Sequence, residues 1–248
     1  MGGIALVTGG SGGIGSAICR RLAADGFTVV VGYNNAAERA RAVVESLDSP
    51  GSHSALAVPV TDSAGLAAAA AVLTARHHHL DLLVNCAGVT KPVAHDDLDG
   101  LDDETIDWIL QTNVRGPFAT IRAFRAALDA APDGAVVINI SSVAAVTGQG
   151  SNVAYCASKA GLDSMTRSLG RALGPGIRMV SVSPGWVLGE YADRMDPQML
   201  DTQRSQTPLD RLATPADVAA AVSAAALHLP FTTGAILSVD GGRPLGAA

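Results

Sequence analysis

Seven short segments of this chain are almost wholly apolar: GIALVTG (3–9), TVVVGY (28–33), SALAVPV (54–60), LDLLVNCAG (80–88), GAVVINISS (134–142), GIRMVSVSPG (176–185) and AILSVDGG (235–242). A strand without polar alternation has no face to offer water, so it must be covered on both sides, and parallel sheets are where such strands occur. Helical windows begin between these segments near Ala36, Ser63, Asp103, Pro117 and Val153. One more, TPADVAAAVSAAALHL (214–229), opens with Thr214 as a cap and Pro215 in its first turn. Strand and helix in regular succession, joined by short connectors, predict a parallel sheet wrapped by helices. No repeat or linker interrupts the pattern. The expected architecture is one α/β domain over residues 1–248, a doubly wound parallel seven-stranded sheet with helices on both faces.

Several function classes fall away on composition. Hydrophobic residues make up 48% of the chain, but much of that is alanine in windows such as LAAAAAVLTARHHH (66–79), and no uncharged apolar run reaches the ~18 residues that span a bilayer. No membrane partner is expected. The start MGGIALVTGG lacks a basic leader region, so a cytoplasmic protein is expected. A formal charge of −6 without basic stripes argues against nucleic acid. Three cysteines, Cys19, Cys86 and Cys156, have no metal-ligand spacing and read as reduced thiols; His77-His78-His79 reads as the polar end of a helix, and no metal is expected. The polar stretch GEYADRMDPQMLDTQRSQT (189–207) follows a strand end and reads as a cover over the carboxyl edge of the sheet, where such sheets bind ligands.

The turn TGGSGGIG (8–15) sits between the first strand and the first helix. Gly9 permits the tight turn, Gly13 lets a pyrophosphate approach the backbone, Gly15 allows close helix packing, and the helix N-terminus then faces the phosphates. Ser11, Gly12 and Ile14 complete this cofactor-binding turn. A second motif is YCASK (155–159). On a helix Tyr155 and Lys159 lie one turn apart on one face, and a cation beside a phenol favours phenolate. A tyrosine so placed can exchange a proton near neutrality. Taken alone, a YxxxK pair is a short and common pattern.

Together with further motifs the pair gains specificity. TGxxxGxG at Thr8, Gly9, Gly13 and Gly15, NCAG at 85–88, Asn113 in LQTNVRG, Ser142 in INISS, YxxxK at 155–159, Pro184-Gly185 and the closing SVDGG resemble, in order and over essentially the whole chain, the single-domain short-chain dehydrogenase/reductase family. The resemblance implies a Rossmann fold and interconversion of a carbonyl and a secondary alcohol with a nicotinamide cofactor. It implies that Tyr155 moves the proton, Lys159 holds the nicotinamide ribose and lowers the tyrosine pKa, Ser142 donates to the carbonyl oxygen, and Asn113 places a water for proton relay. Cofactor contacts would come further from Asn85, Ala87, Gly88, Pro184, Gly185 and Val187. Relatives are mostly homotetramers, so a homotetramer or homodimer is expected.

Coenzyme choice turns on the end of the second strand. An acid there bonds the ribose 2′-hydroxyl in NAD-using enzymes. Tyr33, Asn34 and Asn35 stand there instead, with Arg39 the nearest cation, so NADP(H) is favoured over NAD(H). Pro59 occupies the position where relatives bond adenine with Asp or Asn, leaving the Val60 backbone and the side chains of Thr61 or Asp62 to substitute. Gly189 stands where relatives commonly carry a threonine.

Within the family the chain looks most like 3-oxoacyl-acyl-carrier-protein reductases. A small carbonyl or alcohol substrate is expected, with a carrier-protein or CoA thioester among the candidates. Arg171 matches a basic position of such reductases, whereas Asp129 and Asp133 make acidic a junction that is basic in many of them, which opposes an acidic carrier protein. The alternatives are a dehydrogenase of a sugar, polyol or other small alcohol, and a non-catalytic dinucleotide sensor. Trp186 and Tyr191 combine apolar area with a polar handle and are candidates to line a substrate pocket.

Overall fold

A computed structural model describes residues 3–49, 51–189, 192 and 195–243. All seven strands form one parallel sheet in the order β3-β2-β1-β4-β5-β6-β7. They are β1 Ile4–Thr8, β2 Thr28–Tyr33, β3 Ser54–Ala57, β4 Leu82–Asn85, β5 Ala135–Ile140, β6 Ile177–Pro184 and β7 Ala235–Val239. The order reverses between β1 and β4, which opens a crevice beyond their carboxyl ends.

Along β1, Ala5 and Val7 enter one core cluster and Leu6 the other, so the strand is buried on both faces, as its uninterrupted apolar sequence requires. The first cluster is closed by α1 (Gly13–Ala24), α2 (Ala37–Glu45) and α9 (Pro215–Leu227). The second is closed by α3 (Ser63–His77) and α5 (Gly116–Asp129). Leu169 of α7 (Val153–Ala172) packs against it as well.

Polar groups locate the ends. Thr214 and Asp217 form a reciprocal capping box at α9, and Asp217 also takes two bonds from Arg211 at 2.6 and 2.7 Å. Arg178 leaves β6 to donate to Ala226 O, a last-turn carbonyl of α9 that the helix leaves unbonded, and to Leu229 O just beyond the helix. α3 ends at His77, with His78 left-handed at its C-cap, so the histidine run is the polar end of a helix. Among the described residues no group of three or more His, Cys, Asp or Glu could hold a metal, and no helix is long and apolar enough to cross a membrane.

Two elements differ from the sequence expectation. The segment 189–207, read as a polar cover, contains a helix, α8 (Pro197–Ser205), capped by Asp196 and begun by Pro197. Residues 103–129 form α4 (Asp103–Leu110), a π-helical turn (Gln111–Arg115) and α5 as one continuous rod. The widened turn adds one residue to the repeat and rotates Thr112 and Asn113 into the interior.

Candidate active site

Thr8, Asn85, Asn139 and Ser181 stand in register across β1, β4, β5 and β6, all of them buried. Buried polar groups need partners. Asn85 Nδ2 donates to Asn139 Oδ1 at 2.9 Å, Asn139 Nδ2 to Thr166 Oγ1 at 2.8 Å, and Thr166 shares a 2.8 Å bond with Ser181. Thr8 Oγ1 accepts the backbone N–H groups of Cys86 and Ala87, both at 3.1 Å, so this row aims the chain that leaves β4. It ties α7 to the sheet beneath it.

Above the row, at the carboxyl edge, lies a cavity of about 1220 Å³, larger than the ~300–1,000 Å³ typical of a small-ligand pocket. One end carries Asn34, Asn35 and Arg39; the glycine turn follows; the middle holds Ser142, Tyr155 and Lys159; the other end is walled by Trp186, Met195 and Met199. Arg39, His95, Lys159 and Arg243 reach this wall, and no carboxylate does among the described residues. Such a wall suits an anionic ligand.

The glycine turn fits a dinucleotide. Gly9 has φ +64°, and a Cβ there would stand 2.9 Å from Ala87 Cα. A Cβ on Gly15 would stand 2.2 Å from Gly9 O, whereas one on Gly13 would meet nothing within 4 Å. Packing therefore demands glycine at 9 and 15, while the bare backbone at 13 faces the cavity. Gly12 caps α1 without a side-chain bond, which leaves the first N–H groups of the helix for a ligand.

Asn152 fixes the start of α7, its Oδ1 accepting Tyr155 N at 2.7 Å. One turn further on, Lys159 is buried; its Nζ donates to Ile140 O at 2.8 Å and lies 5.6 Å from the centroid of the Tyr155 ring. Burial lowers the Lys159 pKa to about 8, with Cys86 and Asp163 pulling it back up. Cys86, partly buried beside the cavity, is pushed by desolvation up to about 12 and stays a thiol near neutrality. Burial also raises Cys156, so neither cysteine is an activated nucleophile.

The cavity is lined by Gly9, Ser11, Gly12, Gly13, Ile14 and Gly15 of the turn, and by Asn34, Asn35 and Val60. Ala87, Gly88, Pro184, Gly185 and Val187 line it too. Three expected site residues are not on its wall. Tyr33 packs against the first core cluster, because β2 still has strand alternation there. Asn85 is 2% exposed and donates its Nδ2 to Asn139, its Oδ1 accepting no bond from a described residue. Asn113, 1% exposed, accepts Val89 N at 2.8 Å and donates to Val89 O at 2.9 Å and Ser158 Oγ at 3.1 Å. It pins the loop after β4 to α7.

Asp62 does not reach the adenosine end either, since its carboxylate caps α3 by accepting Ala64 N. Gly189 reaches the wall, with φ +136°. Trp186 lines the cavity; Tyr191 lies outside the described residues. Asp129, Asp133 and Arg171 lie near the ends of α5 and α7 that run into β5 and β6, at the amino edge of the sheet. Within the protomer they are at the opposite edge from the cavity, and Asp129 is paired with Arg125 at 2.7 Å. His95, Gln149, Met199 and Arg243 were not legible as wall residues in the sequence. They come from segments far apart in the chain and share no motif.

A family model described as Enoyl-(Acyl carrier protein) reductase matches residues 9–243. The chain is 37% identical over 246 residues to a ketoacyl reductase assigned to the granaticin polyketide synthase of Streptomyces violaceoruber, covering 98% of this chain and 96% of that one. It is 33% identical over 241 residues to the 3-oxoacyl-acyl-carrier-protein reductase FabG of Staphylococcus aureus, covering 96% of each. A crystal structure titled short-chain dehydrogenase/reductase, glucose/ribitol dehydrogenase, from Brucella melitensis superposes with a TM-score of 0.89 at 28% identity, covering 97% of this chain and 96% of that one. The chain belongs to the short-chain dehydrogenase/reductase family, and is an oxidoreductase that uses a nicotinamide dinucleotide to interconvert a carbonyl and a secondary alcohol.

Proposed function

We propose that this oxidoreductase reduces the ketone of a 3-oxoacyl thioester or a related small ketone with NADPH, Tyr155 being the proton donor. The observation that carries the reading is the placement of Tyr155 on the cavity wall, one turn from the buried ammonium of Lys159. When bound, the dinucleotide supplies the hydride. Gly13 and Ile14 would hold its pyrophosphate by backbone N–H groups, that of Gly12 being donated to Gly9 O at 3.1 Å, and Asn34, Asn35 and Arg39 would face its ribose end. Asn amides and a guanidinium donate to phosphate oxygens, and among the described residues no acid stands on that wall to repel a 2′-phosphate, which favours NADPH over NADH.

In this reading the Tyr155 hydroxyl gives its proton to the carbonyl oxygen as the alcohol forms, while Ser142 donates a hydrogen bond to the same oxygen as charge develops on it. Lys159 stabilises the phenolate left behind and restores its proton. Asn113 acts through the chain it holds: by fixing both backbone groups of Val89 it shapes the wall beside Lys159. Trp186, Met195 and Met199 provide an apolar lining suited to an acyl chain. The relatives named for ketoacyl reduction support a thioester, and the glucose/ribitol dehydrogenase title supports a small polyol as the second reading. Trp108 on α4 and Phe118 on α5, both large, apolar and exposed, support self-association as a dimer or tetramer.

The test is oxidation of NADPH and NADH, followed at the nicotinamide absorbance, with a short 3-oxoacyl thioester, simple ketones and, in reverse, polyols. NADPH-dependent turnover of the thioester that disappears in Tyr155→Phe while coenzyme binding persists is the expected result. Turnover surviving in that variant would remove Tyr155 from the chemistry. Faster turnover of a polyol would move the substrate to the second reading.

A further inference from the structure

Asp163 is 2% exposed, and neither of its carboxylate oxygens accepts a hydrogen bond from any described residue. Burying a carboxylate in this way is expensive unless a cation compensates it or it takes up a proton. Lys159 lies one turn before it on the same inward face of α7, itself 6% exposed. Side chains on a helix lean toward its N-terminus, so Asp163 leans along the helix toward Lys159.

The groups that face Lys159 are few. Tyr155 comes from its own helix, Cys86 from the end of β4, Asn113 from the π-helical turn, and the Ile140 carbonyl from β5. Cys86 is a neutral thiol near pH 7, and Asn113 and the carbonyl carry no charge. Among the groups acting on Lys159, that leaves Asp163 as the anion that matters at neutral pH.

We propose that Asp163 is a positioning residue that acts through Lys159: its buried carboxylate is the counter-charge that keeps the lysine an ammonium and so sustains the effect of the lysine on Tyr155. This rests on the carbonyl-reductase reading above. Asp163 is eight residues from Tyr155, about 12 Å along the helix, whereas Lys159 is four residues away. The direct influence of the carboxylate on the phenol is therefore the weaker one, and removing it acts mainly by discharging the lysine.

The chain contains only two lysines, Lys91 and Lys159, and Lys91 is exposed. Labelling lysine with ¹³C at Cε therefore gives two side-chain signals, and their titration is read with no substrate. In the wild type the Lys159 signal should titrate near pH 8. In Asp163→Asn its midpoint should fall by about one pH unit or more, and in Asp163→Glu it should return toward the wild type. A midpoint unchanged in Asp163→Asn would overturn the proposal. So would an infrared band from a buried carboxylic acid in the wild type at neutral pH that [4-¹³C]aspartate labelling shifts, Asp163 being the one buried carboxylate among the described residues; that measurement needs no variant and decides the matter if Asp163→Asn does not fold.

Under the proposal, turnover in Asp163→Asn should fall about fivefold or more at pH 8, with its pH profile displaced; a merely structural role would scale the profile without displacing it. The two readings fail separately. A wild type that turns over no carbonyl or alcohol sinks the reductase reading and leaves the lysine midpoints to be read. An unmoved midpoint sinks the role of Asp163 and leaves the reductase standing.

Discussion

Gly13 and Gly15 are two residues apart in one turn, yet adding a methyl group to each should have opposite consequences for folding. At Gly15 the new Cβ would stand 2.2 Å from Gly9 O and 2.9 Å from Gly10 Cα. A normal contact begins near 3.4 Å, so either the start of α1 or the β1–α1 turn must move by about 1.2 Å, and both obstacles are backbone with no rotamer to escape through. Overpacking of this kind costs about 1–3 kcal/mol, a fall in Tm of about 2–12 °C for a chain this size. At Gly13 the same methyl meets nothing within 4 Å, and the residue opens α1 without positive φ. Gly13→Ala should fold normally and gain about 0.5 kcal/mol of helix stability, raising Tm by about 1–2 °C. It should nevertheless bind NADPH about 10–100-fold more weakly, because a methyl holds the pyrophosphate off one backbone N–H group worth about 1.5–3 kcal/mol. Thermal unfolding of the free proteins and fluorescence titration with NADPH separate the two effects. Wild-type affinity in Gly13→Ala would refute the assignment of the phosphate to this turn, and a native Tm in Gly15→Ala would refute the packing argument.

Arg39→Ala should weaken NADPH about 10–100-fold and NADH far less, since only the former presents a 2′-phosphate to lose a charged hydrogen bond; equal losses in paired titrations would remove Arg39 from coenzyme selection. Asn113→Leu should destabilise the fold by about 2–4 kcal/mol in urea unfolding, because it removes the partners of the N–H and C=O of Val89 and the bond that Ser158 Oγ accepts, Ser158 still donating to Tyr155 O. Thr214→Ala should cost about 1 kcal/mol by removing the α9 cap. The Arg211 guanidinium and the Thr214 backbone hold the Asp217 pKa far below the usual range. Its contribution is thus present above the unfolded value of about 3.9 and is lost as pH falls below that. Asp217→Asn should show a smaller drop in Tm than the wild type between pH 5 and about pH 2, and identical slopes would refute the linkage.

Strand and helix placement was legible because burial on both faces leaves a continuous apolar run, which survives in sequence. The glycine turn and YCASK were legible for a related reason: their chemistry requires particular residue types at fixed short spacings. Legibility failed where a polar residue serves another polar residue across the sheet. Asn85 and Asn139 are 54 positions apart and meet only because β4 and β5 pair in register. Read along the chain, Asn85 sits between a strand and a glycine and resembles a ligand contact. In the fold its Nδ2 donates to Asn139, while its buried Oδ1 accepts no bond from a described residue. The burial of Asn113 was hidden for a different reason, since an α-helical repeat through QTNVRG gives no warning of the π-helical turn that holds it.

The charges at the amino edge show the same limitation in another form. Asp129 and Asp133 argue against an acidic partner only if they border the entrance, and a sequence does not say which edge of the sheet a junction occupies until the strand direction is known. In a parallel sheet every helix-to-strand junction falls at the amino edge and every strand-to-helix junction at the carboxyl edge. Topology thus removes two carboxylates from the question of what this protomer's cavity admits. Among the described residues, the charged side chains that remain on the wall are Arg39, Lys159 and Arg243, and the other titratable ones are Cys86, His95 and Tyr155. The substrate question then turns on groups gathered from five separate segments, and no spacing rule could have joined them.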